Sequence, residues 1–193
     1  ARFLDRHKLS TLYRVHEGPQ ADKLTDLREF LGELGLSLGG GDKPQAREYG
    51  KLLKKVQTRP DAHLIQTVML RSLSQARYSP DNIGHFGLSH EEYLHFTSPI
   101  RRYPDLLVHR AIRHQLRNEA RKKDKGDKAR LAKFPYNDSD MVALGEHCSV
   151  TERRADDATR DAVDWLKCEY MLDKVGEDYD GIVSSVTSFG IFV

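Results

Sequence analysis

A turn signal and a helix signal lie side by side in residues 95–110, and this stretch constrains the local fold more than any other. Ser98 precedes Pro99, and the residue before a proline is disfavoured in the helical region, which predicts a loop. Pro104 suits the first turn of a following helix, where its missing N–H is not needed. The apolar residues that continue this helix recur at helical spacing: Leu107, Val108, Ala111, Ile112 and Leu116. A loop that ends at the N-terminus of an amphipathic helix is therefore predicted.

Arg101 and Arg102 lie between these two signals, so two guanidinium groups are predicted at a helix N-terminus. The free backbone N–H groups and the helix dipole favour an anion there. Guanidinium groups bind phosphate oxygens bidentately and stay charged at any working pH. The pair therefore fits a phosphate-binding role. The alternative is a surface feature, or an ion-pair partner for Asp105.

The distribution of charge bears on the class of partner. The net charge is only +2, but residues 101–134 contain 12 Lys and Arg against 4 Asp and Glu, which leaves −6 for the rest of the chain. A basic region of this kind can follow a nucleic-acid backbone. However, residues 117–133 alternate in charge sign and contain Gly126 with almost no apolar residues, which favours a solvated, flexible loop.

Apolar and cysteine patterns exclude two classes of protein. No apolar run approaches the roughly 20 residues that a membrane helix needs, so no membrane partner is expected. Cys148 and Cys168 form no C-x-x-C motif and leave no zinc site to build. If both lie on one helix, they are roughly 30 Å apart, too far for a disulfide. Reduced thiols in a cytoplasmic protein are expected.

Helical periodicity dominates the chain, and the predicted fold class is α+β. Gly35 is placed as the C-terminal stop of one helix, and Asp138 or Ser139 as the N-cap of the longest one. Helices are expected at residues 24–34, 46–56, 61–78 and about 140–175. Short strands are expected near residues 12–16 and 84–97, with a hairpin over residues 179–193.

Three aspartates of the long helix, Asp157, Asp161 and Asp164, share one face, which formally allows a metal-binding carboxylate cluster. Arg153 precedes the first of these aspartates by one turn, and Arg160 precedes the last. Solvated ion pairs are therefore the simpler interpretation.

Aromatic and imidazole side chains are concentrated in residues 84–97, and such rings can stack on bases or hydrogen-bond to them. They are His85, Phe86, Tyr93, His95 and Phe96. Core packing is the alternative for Phe86 and Phe96. Structural hydrogen bonding, rather than metal ligation, is the alternative for His85 and His95.

Three stretches carry a resemblance to a known family. They are Gly84-His-Phe-Gly-Leu88, Tyr93-Leu-His-Phe-Thr-Ser-Pro-Ile-Arg-Arg-Tyr-Pro-Asp-Leu106 and His109-Arg110. In this order they resemble hallmark segments of the bacterial ribonuclease II and ribonuclease R family, the RNB exoribonucleases. Residues 152–166 fit the ribonuclease R branch. The resemblance implies part of a processive 3′-to-5′ hydrolytic exoribonuclease that degrades single-stranded RNA to nucleoside 5′-monophosphates, and it leaves structured RNA open as a substrate.

The resemblance also implies roles for individual residues. Arg101 matches the family's catalytic arginine at the scissile phosphate, and Arg102, Tyr93 and His95 are candidate contacts to RNA or phosphate. The implied cofactor is magnesium (Mg2+), which the family holds with closely spaced aspartates in a D-x-D-D-like motif. That motif does not occur in residues 1–193. We therefore expect the metal ligands upstream of this chain, and we predict that the chain alone is inactive.

The last residues resemble a second type of domain. Residues 181–193 are similar to the first two strands of a ribosomal-type OB domain, and Phe189 and Phe192 match positions where that family presents aromatic rings to RNA. The predicted division is therefore residues 1–176, the C-terminal portion of an RNB-type catalytic domain, and residues 177–193, the first hairpin of an OB-fold β-barrel. A barrel cannot close from two strands.

Two other classes of function remain open from the residues. The chain could be a non-catalytic RNA-binding fragment or paralogue of the same family. It could also be a helical interaction module that binds an acidic protein through residues 101–134.

Overall fold

A computed structural model describes residues 1–126, 130–183, 185–187 and 190–192. Helices dominate, as predicted, and the strands are short. The helices are α1 Arg2–Arg6, α2 Ala21–Glu33, α3 Ala46–Val56, α4 Ala62–Ser72, α5 Tyr103–Lys125 and α6 Asp138–Met171. The strands are β1 Tyr13–Val15, β2 Arg77–Ser79, β3 Ser185–Thr187 and β4 Gly190–Phe192. Two compact units are present, residues 1–150 and residues 151–193.

The larger core of the first unit lies among α2, α3 and α4. Leu24, Leu27 and Leu31 form the buried stripe of α2, and the partners from α3 and α4 are Tyr49, Leu52, Val56, Ile65 and Met69. The end of α2 follows from Gly35, whose φ of 68° is a left-handed conformation that glycine adopts without a steric penalty. This geometry lets Leu36 N–H reach the Leu31 carbonyl at 2.8 Å, so the predicted helix stop is confirmed.

A second core joins β1 and β2 to the helices α5 and α6. Its buried members are Leu12, Tyr78, Leu107, Met141 and Cys148. The backbone of α6 approaches β2 closely at Gly145, where an added Cβ would lie 2.9 Å from the Tyr78 carbonyl oxygen. One turn later, Ser149 Oγ accepts a hydrogen bond of 2.9 Å from the Tyr78 N–H. Small residues on α6 are therefore required where the helix crosses the strand.

Two sequence predictions about strands are wrong. Arg77 and Tyr78 were expected at the end of a helix over residues 61–78, but together with Ser79 they form β2, which pairs antiparallel with β1 so that Arg14 lies opposite Tyr78. Residues 84–97 were expected to be a strand, but only isolated bridges and a single 3-10 turn, Phe86–Leu88, occur there. Positive φ angles at Gly84 and Ser89 interrupt the extended backbone.

Two predictions about the long helices also need correction. The charged residues 117–125, expected in a flexible loop, continue α5, because Arg, Lys, Glu and Ala are good helix formers. The cap of α6 is Asn137 rather than Asp138 or Ser139. Its Oδ1 accepts from Asp140 N–H, and its N–H donates to the Asp140 carboxylate, each at 2.9 Å.

The second unit contains residues 151–171 of α6 and the predicted hairpin. Ser185 lies opposite Phe192 and Thr187 opposite Gly190 in the antiparallel pair β3–β4. The aspartates of α6 form exposed ion pairs, as expected, but with other partners, Arg160 with Asp157 and Lys167 with Asp164. Both pairs are spaced i,i+3 on the helix surface. No helix within the described ranges is long and apolar enough to cross a membrane.

Candidate nucleic-acid interface

The loop before α5 is held by one carboxylate. Asp105, in the first turn of α5, is fully buried and accepts hydrogen bonds from the Ser98 N–H at 2.7 Å and from Arg102 Nη2 at 2.8 Å. The Ser98 carbonyl in turn accepts from the N–H groups of Arg101 and Arg102. A negative side chain is favourable at a helix N-terminus, because the helix dipole is positive there. The carboxylate therefore joins the turn, the arginine pair and the helix.

Arg102 faces this buried carboxylate. Its hydrogen bond to Asp105 raises the pKa of the guanidinium above its usual value, despite some desolvation. Two polar atoms of the pair, Arg102 Nε and Asp105 Oδ2, are buried and find no hydrogen-bond partner among the described residues. For Arg102, the geometry therefore matches the ion-pair interpretation that the sequence left open.

Arg101 has a different environment from its neighbour. Its side chain is exposed, whereas only 23% of the Arg102 side chain is accessible. Within the described part of the chain, the Arg101 guanidinium forms no hydrogen bond or ion pair, and its backbone N–H is 3.3 Å from the Ser98 carbonyl. Because the backbone of Arg101 is fixed by this hydrogen bond and its guanidinium is exposed, the side chain is suited to bind an anion from solvent.

Tyr93 and His95, two of the predicted contacts, lie together beside β2. The Tyr93 ring packs edge-on against His95, with ring centroids 5.7 Å apart. His95 Nδ1 is 2.9 Å from the Tyr78 hydroxyl. The backbone of β1 positions this group, because the Arg14 N–H donates to the Tyr93 carbonyl at 2.9 Å. Both side chains are half-buried, so each offers only part of its ring.

Sequence reasoning missed Arg14 and Tyr78 at this place. The Arg14 guanidinium lies over the Tyr78 ring, 4.6 Å from its centroid, in a cation–π contact. The two residues are opposite each other in the β1–β2 pair. Recognition of Arg77–Ser79 as a strand would have brought them together, because register partners face each other across a sheet.

The histidines near this site have structural hydrogen bonds, as the alternative interpretation predicted. His16 Nδ1 accepts from the Gly87 N–H at 2.9 Å, so its Nε2 donates to the Ser74 carbonyl at 2.6 Å. His85 Nδ1 accepts from the Leu88 N–H at 3.3 Å. Burial lowers the pKa of His85, and the nearby His16 and Arg14 lower it further.

The two phenylalanines of this region differ in burial. Phe86 packs against the larger core and lies edge-on to Tyr49, with centroids 5.7 Å apart, as core packing predicts. Phe96 was also expected in the core, but 44% of it is exposed. It stacks on His109, with centroids 4.4 Å apart and ring planes within 4°. His109 Nε2 also lies 2.9 Å from the Phe96 carbonyl, so helix α5 supports this stack at the surface.

A protein-family model matches the part of the chain that carries this geometry. The model of the RNB domain matches residues 1–118. These residues include the loop before α5, both arginines, the rings of Tyr93 and His95, and most of α5. The chain belongs to the RNB family. The expectation from the arginine segment and its flanks is thereby confirmed.

Similar proteins with curated names are ribonucleases R. The RNB chain is 51% identical over 193 residues to ribonuclease R of Escherichia coli strain K12 and 54% identical over 194 residues to ribonuclease R of Vibrio cholerae. The whole chain is matched in both cases, but it covers 24% and 23% of these relatives. The chain therefore spans about a quarter of the length of the relatives it matches.

Solved structures with the same fold include Mycoplasma genitalium RNase R. The apo form matches all of the RNB chain and 29% of its own, with a TM-score of 0.85 and 29% identity. A complex of that protein with ribose methylated single-stranded RNA matches with a TM-score of 0.83 and 29% identity, again over the whole RNB chain and 29% of its own. Yeast Ssd1, described as a pseudonuclease, shares the fold over 76% of the RNB chain and 17% of its own, at 23% identity and a TM-score of 0.59.

The implied metal and the two phenylalanines of the hairpin complete the set of predicted contacts. Among the residues that the structure describes, no group of three or more His, Cys, Asp or Glu side chains is placed to hold a metal ion. The described residues therefore do not form a metal centre by themselves. Phe189 lies outside the described residues, and Phe192 is described only as backbone in β4.

Proposed function

We propose that this chain is part of a 3′-to-5′ exoribonuclease that hydrolyses single-stranded RNA to nucleoside 5′-monophosphates, with Arg101 as the catalytic arginine. The observation that carries the proposal is the difference between the two arginines. The Arg102 side chain is paired with buried Asp105, whereas the Arg101 side chain is exposed and has no partner in the described part of the chain. The RNA complex of the Mycoplasma genitalium protein supports RNA as the substrate class.

The chemistry assigned to Arg101 is electrostatic. Hydrolysis of a phosphodiester places additional negative charge on the phosphate oxygens in the transition state, and a positioned cation stabilises that charge. The guanidinium binds two oxygens of one phosphate at once, which also orients the group. Loss of such a donor typically costs on the order of 10²–10³ in rate.

Mg2+ remains the proposed cofactor, with its ligands supplied by a part of the protein outside these 193 residues. Bound metal would supply the activated water, and this chain would supply Arg101. We accordingly expect the 193-residue chain alone to be inactive.

Other contacts complete the proposal. Tyr93 and His95 would contact the RNA near the scissile phosphate, and Arg102 would hold Arg101 in place or reach a phosphate itself. Phe189 and Phe192 are proposed as RNA contacts of the OB-fold hairpin at residues 177–193, after a catalytic portion at residues 1–176. A cytoplasmic location is proposed as well, because Cys148 and Cys168 lie 20 residues apart on α6, roughly 30 Å along its axis, which is too far for a disulfide between them.

The alternative is a non-catalytic RNA-binding member of the same family. It is favoured by one observation, the similarity of fold to Ssd1, which is described as a pseudonuclease. The position of Arg101 alone therefore does not distinguish an enzyme from a non-catalytic member, and a hydrolysis measurement is required.

One experiment separates the two functions. The intact protein and its Arg101→Ala variant are incubated with 5′-labelled single-stranded RNA and Mg2+, and binding is measured in parallel without divalent metal. A ladder that shortens from the 3′ end, and that Arg101→Ala suppresses without loss of binding, supports the enzyme. RNA binding with no hydrolysis by the intact protein would favour the alternative.

A further inference from the structure

A basic groove runs along the exposed side of α5, well beyond the arginine loop. Its cavity has a volume of about 390 Å³. One wall is the arginine row Arg113, Arg117 and Arg121, and the other is residues 132–136, which return beside the helix. We refer to it as the α5 groove.

Asn118 builds the α5 groove by fixing its second wall. The residue is only 8% exposed, although it lies on a highly charged helix. Its side-chain amide donates to the Ala132 carbonyl and accepts from the Ala132 N–H, each at 3.0 Å. Farther along this wall, the Phe134 ring packs against His114, with centroids 5.2 Å apart. The returning segment is therefore held against α5 by paired hydrogen bonds and by ring packing.

The arginine row presents three positive charges on one helix face. Residues four apart rise by about 6 Å along an α-helix, so the three guanidinium groups form an ascending line. All three side chains are exposed, and none has a hydrogen bond or ion pair with another residue of the described ranges. Glu119, the acidic residue between them, is instead bonded to Gln115 at 3.0 Å and lies 3.7 Å from His7.

An unpaired row of this kind has an energetic cost. Like charges at i,i+4 repel each other and destabilise a helix. The neighbouring Arg110 avoids this situation, because its guanidinium donates to the hydroxyls of Tyr136 at 2.6 Å and Tyr103 at 3.2 Å. The three arginines of the row have no such partner in the described ranges, so they are available to an anion from outside the chain.

We propose that the α5 groove binds the phosphodiester backbone of an RNA strand, at a site separate from the catalytic arginine. The rise of about 6 Å between successive arginines is of the order of the distance between neighbouring phosphates in an extended strand. Guanidinium forks suit phosphate oxygens, and backbone contacts of this type require no particular base sequence. This inference rests on the proposed function, since it takes RNA as the substrate.

The distance of the α5 groove from Arg101 predicts which lengths of RNA depend on the groove. Arg121 lies 18 residues after Tyr103, the first residue of α5, which is about 27 Å along the axis. Successive nucleotides of a stacked strand are only about 3.4 Å apart, so a trinucleotide at Arg101 is too short to reach that far, whereas a strand of about 30 nucleotides can contact both places. The groove should therefore contribute to binding of long RNA and not to hydrolysis of very short RNA.

The test compares two double variants of the full-length protein on the same helix. Arg117→Gln/Arg121→Gln removes two charges of the groove, and Lys122→Gln/Lys123→Gln removes two exposed charges that do not line it. The affinity for a single strand of about 30 nucleotides is measured without divalent metal over a range of salt concentrations. Each lost phosphate contact should reduce the slope of log K against log salt by about 0.7, so the groove variant should lose about 1.4.

The control variant should keep nearly the parental slope, and Arg117→Lys/Arg121→Lys should restore most of the lost slope because it restores the charge. Trinucleotide hydrolysis should be unchanged in every variant. Equal slopes for the groove and control variants would overturn the proposal. The proposal would also be overturned if free tripolyphosphate inhibits RNA hydrolysis by the parental protein but not by the groove variant, while the groove variant keeps the parental salt slope for RNA binding. The site would then bind small phosphates rather than an RNA strand.

Failure of the two proposals can be distinguished. If no form of the protein hydrolyses the trinucleotide, the exoribonuclease assignment fails, while the salt slope still reports on the α5 groove. If hydrolysis proceeds and the slopes coincide, only the groove is wrong.

Discussion

The Arg102 guanidinium lies 2.8 Å from the fully buried carboxylate of Asp105, three residues farther along α5. This pair explains how two adjacent arginines can differ in role. Asp105 holds Arg102 and the Ser98 N–H together, and the loop so formed turns the Arg101 side chain to solvent. One arginine is thus part of the scaffold, and the other is available to a ligand.

Asp105→Asn should destabilise the first unit by about 3 kcal/mol. That is the lower end of the range for breaking a buried ion pair, because 23% of the Arg102 side chain reaches solvent. Urea unfolding of the purified protein measures the effect. Asp61→Asn is the control, since the Arg59–Asp61 pair is more exposed, and little change is expected. Equal effects of the two variants would contradict a special role for Asp105.

Arg101→Ala should lower kcat by on the order of 10²–10³, because it removes a cation that stabilises transition-state charge, and it should leave the RNA Kd within a few fold. Single-turnover hydrolysis and filter binding measure the two quantities. Arg102→Ala should also reduce stability, since it strands the buried Asp105 charge, whereas Arg101→Ala should not. If Arg101→Ala lowers kcat and affinity by the same factor, the arginine contributes affinity only.

Local signals predicted the helices of this chain well. Helix α3 begins and ends where its periodicity indicates, at Ala46 and Val56. Helix α2 ends beside Gly35, because a left-handed glycine closes the hydrogen bonds of its last turn. Both features depend on residues close in sequence, which is why sequence reasoning finds them.

Features that depend on distant partners were missed. Arg77–Ser79 is a strand because it pairs with β1, more than 60 residues earlier, and no local pattern marks it. The length of α5 was missed because its charged half lacks an apolar stripe, and its buried Asn118 is satisfied by Ala132, 14 residues later. The same limit applies to the site. Arg101 could be found from its motif, but the contact of Arg14 with Tyr78 could not.

Gly87→Ala should destabilise the protein by about 1–3 kcal/mol, the usual range for overpacking. An added Cβ would lie 3.0 Å from His16 Nδ1, the atom that accepts the Gly87 N–H, and would displace the ring from its two hydrogen bonds. Gly50→Ala is the matched control. Nothing lies within 4 Å of its Cβ position inside α3, so that variant should gain about 0.5–1 kcal/mol. Urea unfolding midpoints give both values, and a neutral Gly87→Ala would show that His16 can move freely.

Stability should fall as the pH drops below about 6.5, the ordinary pKa of histidine, and His85 should contribute to that fall. Burial, reinforced by His16 and Arg14, lowers the pKa of His85 in the folded state. The unfolded chain therefore takes up a proton first as the pH falls, which favours unfolding until the pH passes the lowered folded-state pKa. Above the unfolded pKa, both states are neutral at this residue and its contribution is constant.

Unfolding free energies at a series of pH values between about 7.5 and 5 test this expectation, because the unperturbed histidine pKa lies inside that window. His85→Gln keeps a polar side chain but cannot titrate, so the fall should become shallower in that variant. If the free energy of unfolding of His85→Gln falls with pH as steeply as that of the parent, other groups cause the fall. Protonation of His85 would then not destabilise the folded state.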